Sequence, residues 1–128
     1  MSITKDFIVE ELKKQIAELI EKYPTSDKIA LAAFYIGDIY REYVRNYPLA
    51  VKWFERAWQW DPNITEPARF QAATVHDIRL HNPIKAIELY RAAIELETNR
   101  SNARFAERRI PELEQQLANN PERAAALR

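Results

Sequence analysis

At 128 residues the chain is one domain in size, long enough to bury roughly two thirds of the surface its unfolded form exposes. Nineteen basic and nineteen acidic residues cancel, so no net field draws it to nucleic acid or anionic lipid. It has no cysteine, which excludes disulfides and thiolate sites, and one glycine, which excludes phosphate-cradling loops, nucleophile elbows and glycine hairpin turns.

In chain order, the first amphipathic stretch runs from about Lys5 to Lys22, with Ile8, Leu12, Ile16, Leu19 and Ile20 on one face and charge opposite. Its start, MSITKDFIVEELKK, lacks the apolar core of a signal peptide, and no stretch reaches the ~18 apolar residues of a membrane span. The expected compartment is the cytoplasm, or a bacterial periplasm or envelope if the chain is a mature or trimmed form. Tyr23-Pro24-Thr25-Ser26-Asp27 breaks this helix. A second helix is expected over Asp27–Arg45, a third over Pro48–Trp60, a fourth over Glu66–Leu80 capped by Thr65, and a fifth over Pro83–Glu97. A sixth covers Asn102–Ala118, with Pro111 predicting a kink near Glu107–Ile110, and a short tail helix spans Pro121–Leu127. Asn46, Asn63, Asn82, Asn99, Asn119 and Asn120 mark the joints, because Asn caps helices and tolerates the left-handed conformation. The class is all-α.

One spacing returns. Gly37, Tyr40, Ala50, Phe54, Ala57, Trp58 and Pro62 are answered by Ala73, Thr74, Asp77, Ala86, Ile87, Tyr90, Ala93 and Ile94, with 36 residues between Ala50 and Ala86. Repeats of this length are helical hairpins that bury their apolar faces by stacking, so the pattern predicts a short helical solenoid of about six to seven helices. Ile29 to Gly37 carries no charge over nine residues and must be covered on most sides. At Gly37 a Cβ would intrude on the third helix, which approaches closely through Ala50 and Ala57.

These residues resemble the tetratricopeptide repeat (TPR) family. Ala33, Ile36, Gly37, Tyr40, Ala50, Phe54, Ala57 and Pro62 fit one unit with an extra residue in the turn at Val44–Tyr47, and Phe70, Ala73, Ala86, Tyr90 and Ala93 fit a second. The second unit departs at Thr74, Asp77 and Thr98, where the family favours Gly, Tyr and Pro. The resemblance implies a right-handed solenoid with an N-terminal helix at 5–26, repeats at 27–63 and 64–99, and a capping helix and tail at 100–128. The Tyr-Pro-Thr-Ser joint is similar to that of bacterial envelope proteins of this repeat class. By the family's register the partner groove is lined by Leu31, Phe34, Asp38, Arg41, Gln71, Val75, Ile78 and Arg79, an apolar patch with a charged rim. Phe34 and Asp38 stand where a grip on C-terminal carboxylates needs Lys and Asn, so that mode is not expected.

Catalytic and metal constellations are not expected. His76, Asp77 and His81 are too few and too poorly spaced for a metal, and His76–Asp77 reads as a polar pair on the outside of the fourth helix. Paired carboxylates such as Glu10–Glu11 and Glu112–Glu114 lie on polar surfaces. Arginine is concentrated late: the first 64 residues hold six Lys and three Arg, the second 64 one Lys and nine Arg. Arg100, Arg104 and Arg108 form a stripe that could meet an anionic partner, with Glu97, Glu107, Glu112 and Glu114 in position to neutralise it. The sequence therefore points to a non-enzymatic scaffold without cofactor or metal, holding a protein or peptide partner in the groove. A self-assembling module, as a homodimer, is the alternative. RNA or acidic-partner binding rests on the arginine stripe alone.

Overall fold

A computed structural model describes residues 4–23 and 27–128, the side chains of Ile20 and Asp27 excepted. The joint residues Pro24 to Ser26, and the part of the first apolar stripe assigned to Ile20, lie outside these. All regular structure among the described residues is helical. Contacts divide the chain into two compact units, Met1–Ala68 and Arg69–Arg128.

In the first unit, α1 (Lys5–Lys22) has the bounds its periodicity predicts. The Thr4 hydroxyl accepts from the Phe7 amide at 3.1 Å, and Asp6 and Lys22 complement the helix dipole at the two ends. Its buried residues are Val9 and Ile16, whereas Ile8 is exposed, so the face turned inward is rotated from the expected stripe. α1 packs on α2 (Asp27–Ile39), whose uncharged run buries Ile29, Ala30, Ala33, Phe34 and Ile36. The Lys13 ammonium lies over the Tyr40 ring, 5.5 Å from its centroid, and hydrogen bonding to Tyr40 raises its pKa.

α2 does not continue as an α-helix to Arg45. It widens into a π-helical turn, Tyr40–Val44, then ends on Arg45 in the left-handed region (φ 59°). The Asn46 amide closes back on the Tyr40 carbonyl (3.0 Å), while the Asn46 side chain caps α3 (Tyr47–Trp60) by accepting from the Leu49 amide. Ala50, Trp53, Phe54 and Ala57 of α3 are buried, and α3 packs along α2. Gly37 sits at this contact. A Cβ built there would lie 2.7 Å from two carbons of the Phe54 ring, which is itself fully buried.

Gly37→Ala should therefore destabilise the protein by about 1–3 kcal/mol, although on an open helix the same change stabilises by roughly 1 kcal/mol. Gly37→Leu should prevent folding of the first unit. Thermal melts check both, and Gly37→Ala combined with Phe54→Leu should recover part of the loss.

The second unit repeats this construction with different side chains. α4 (Ala68–Thr74) begins at the boundary and passes into a second π-helical turn, Val75–Arg79, with the Leu80 amide bonded to the Val75 carbonyl. His81 is left-handed (φ 51°), the Asn82 amide closes on the His76 carbonyl (2.8 Å), and the Asn82 side chain caps α5 (Pro83–Leu96) through the Lys85 amide. α3 and α5 are both 14 residues long and start 36 residues apart. The left-handed positions are thus Arg45 and His81, each one residue before the asparagine assigned to the joint; the asparagines act as caps.

Asn99 caps α6 (Arg100–Asn119), which continues through Pro111, and Asn120 caps α7 (Pro121–Leu127). α6 lies along α5. Ala73, Ala86, Ile87, Tyr90, Ala106, Ile110 and Leu113 form one buried cluster, so α6 covers the apolar side of the α4–α5 pair. α7 tucks Ala124 inward, and Arg123 donates to the His81 carbonyl.

Candidate functional site

Burial of polar groups concentrates in the second unit, in two places. The first centres on Asp77, whose side chain is 1% exposed. The π turn carries this carboxylate inward, where it accepts the Tyr90 hydroxyl from α5 (2.9 Å) and both Nε and Nη2 of Arg109 from α6 (2.8 Å each). Arg109 also donates to Glu112 at 2.8 Å. The two parallel bonds are the fork geometry in which guanidinium and carboxylate match best. Burial and the bond to Asp77 push the Tyr90 phenol far up, and the same carboxylate raises Arg109. Asp77 is therefore not part of an outer polar pair: it ties three helices together. In the first unit Tyr40, which the repeat pattern of the sequence answers with Asp77, is met by Lys13 from α1.

The second place is Glu97, just beyond α5. Its carboxylate accepts from the amides of Arg69 (2.7 Å) and Phe70 (3.2 Å), capping the first turn of α4 from 27 and 28 residues away. Burial raises its pKa against the opposing pull of those amides and of Arg69. Thr65, assigned as this cap from local sequence, instead donates its hydroxyl to the neighbouring Glu66 carboxylate (2.7 Å). No local signal could have found Glu97, because the partners meet only in the folded unit.

His76 is half-buried, and burial, with Lys85 nearby, lowers its pKa below 6.5, while Glu88 opposes. Its Nδ1 is buried without a hydrogen-bond partner. Below pH 6.5 the unfolded chain takes the proton before the folded one does, so His76 should make stability fall as pH drops through that range. Glu97 and Asp38, both raised by burial, have the opposite sign, since the folded state gains their protons first. Melts of the parent and His76→Gln between about pH 7.5 and 5 separate these contributions: the variant should lose less stability on acidification than the parent.

The residues assigned to a partner groove divide by exposure. Phe34 and Val75 are corrections: both are buried, Phe34 with its ring 5.4 Å from Phe54 and Val75 at 1% exposure. Val75 opens the π turn. A regular helix would place Val75 and Ile78 on one face, but the wider turn re-phases them, leaving Ile78 55% exposed with Arg79 exposed beside it. Leu31, Asp38, Arg41 and Gln71 are half-buried. Arg41 is held by Asp38 (3.0 Å) and Glu42 (3.2 Å), and burial raises the Asp38 pKa against the pull of Arg41. The register missed Tyr35 and Tyr43, both well exposed. Leu31, Tyr35 and Asp38 fall at i, i+4 and i+7, one face of α2.

Arg100, Arg104 and Arg108 are all exposed on α6. A small apolar pocket of about 160 Å³ lies among Lys5, Ile8, Ile39 and Tyr43 in the first unit, and a larger open one among His81, Pro83, Leu117 and Arg123 in the second. Among the described residues, no cluster of three His, Cys, Asp or Glu is placed to hold a metal, and no helix is long and apolar enough to cross a membrane. No family model, curated protein or solved structure matches this chain.

Proposed function

We propose that the chain is a non-enzymatic protein-interaction module of TPR type, holding a protein or peptide partner on the exposed flank of the first helix of each hairpin. The observation that carries this reading is the duplicated joint: a π turn, a left-handed residue, a capping asparagine and a 14-residue helix with an early proline, the left-handed residue, cap and helix start recurring after 36 residues and the π turn and proline after 35. Such repetition serves to present successive helix faces, and arrays of this kind hold partners along them. The strongly perturbed groups support a non-catalytic role, because Asp77, Tyr90, Arg109 and Glu97 are all engaged with one another or with backbone amides.

Each unit offers its own patch. In the first, Tyr35 stands with Leu31 and Asp38; in the second, Ile78 stands beside Arg79. Aromatic, aliphatic and Arg side chains in this mix are typical of binding hot spots. Ile78→Asp with Arg79→Glu should change stability by less than about 0.5 kcal/mol, and should weaken partner capture by roughly 30-fold or more. Capture from a lysate of the source organism checks this: the same proteins retained by the variant would contradict the reading. One observation favours self-assembly as a second reading, namely the exposed Ile8 beside the pocket at Ile39 and Tyr43. Light scattering across a concentration series separates the two.

A further inference from the structure

The arginine stripe of α6 has lost the neighbours that were placed to neutralise it. Glu97 is buried on the amides of Arg69 and Phe70, Glu112 pairs with Arg109 (2.8 Å), and Glu114 pairs with Arg91 of α5 (2.8 Å). Among the described residues no hydrogen bond or ion pair engages the guanidinium groups of Arg100, Arg104 and Arg108, from Glu107 or from any other residue. α6 turns Ala106, Ile110 and Leu113 inward, and at about 100° per residue the three arginines centre on the opposite side. Successive members are one turn apart, a rise of about 6 Å, and the outer two are about 12 Å apart along the axis.

We propose that this outer face of α6 docks an acidic helical segment of a partner protein, whose carboxylates on successive turns are taken by Arg100, Arg104 and Arg108. A surface needed only for solubility is served by any charge. Three arginines and no lysine select the group that binds a carboxylate through two parallel bonds. An acidic helix with carboxylates four residues apart has the same rise of about 6 Å, so each turn meets one guanidinium. Phe105, 38% exposed and three residues from Arg108, adds an apolar contact at the edge of the stripe. A nucleic acid fits less well. The neutral chain supplies no wider positive field along which a continuous phosphate backbone could run. This surface is separate from the patches at Tyr35 and Ile78, and stands or falls independently of them.

The test uses the full chain, a fluorescent helical peptide of about 15 residues with Glu at three positions four apart, its Gln counterpart, and a uridine oligomer of about 12 nucleotides, at roughly 50 and 200 mM salt. The Glu peptide should bind at least about tenfold more tightly than the Gln peptide or the RNA, and more weakly at higher salt. Arg100→Gln, Arg104→Gln and Arg108→Gln together should weaken it about tenfold, and the three Lys replacements several-fold, with melting unchanged. The Lys variant carries the test if the Gln variant does not fold. Equal binding by both variants, RNA binding as tight as the peptide, or no peptide binding would overturn the proposal. So would arginine-dependent self-association without peptide binding, which would make a second copy the occupant.

Discussion

Deleting residues 100–128 should leave the second unit unable to fold, giving an aggregating chain or a large drop in melting temperature. α6 is the cover of the α4–α5 pair. Without it Ala73, Ala86, Ile87 and Tyr90 lose Ala106, Ile110 and Leu113 as packing partners, and Asp77 loses both bonds from Arg109. Re-exposing large buried aliphatic side chains costs about 1.5–3 kcal/mol each, and breaking a buried ion pair about 3–5 kcal/mol. Together these rival the total stability of a domain, about 5–15 kcal/mol. Size-exclusion chromatography and a thermal melt check the outcome. A truncated chain that stays soluble, monomeric and equally stable would show that α6 is not a cover.

Asp77→Ala should be the most damaging single substitution in the second unit, at about 3–5 kcal/mol. It leaves the Tyr90 hydroxyl buried without its acceptor, which alone costs roughly 1–3 kcal/mol, and strips Arg109 of two bonds. Arg109 keeps Glu112 and is partly exposed, so the loss should sit toward the lower end of that range. In a unit this small it corresponds to at least about 10 °C in melting temperature. Replacing Asp77, Tyr90 and Arg109 together by Leu, Phe and Met should cost less than Asp77→Ala alone, because no buried polar group is then stranded. If Asp77→Ala melts within about 1 kcal/mol of the parent, the network does not hold the three helices.

What could be read from the sequence was what is determined locally. α1 and α7 have the bounds that periodicity and the Asn120–Pro121 signal predict, since a cap and its first turn lie within four residues of each other. The apolar run of α2 and the close approach at Gly37 were also legible, because a helix without charge must be covered and a lone glycine in it marks where. Three features were not. The π turns add a residue per turn without any composition signal and rotate the later side chains about the helix axis, which is why Asp77 points inward and Ile78 faces water while Val75, at the start of the turn, is buried. Glu97 and Arg109 act on partners 27 to 32 residues away, where spacing rules for a single helix give no information. Phe34 was assigned to the surface by register, but its ring is packed against Phe54.

The binding role is tested most directly by a photo-reactive amino acid at position 78, with a second placed at the exposed Glu88 of α5 as the control. Irradiation in a lysate of the source organism should give a discrete protein adduct from position 78 that is absent from position 88, and Arg79→Glu should abolish it. No adduct from position 78, or the same adducts from both positions, would contradict the account of the chain as a module that holds a partner on the exposed flank of its hairpins.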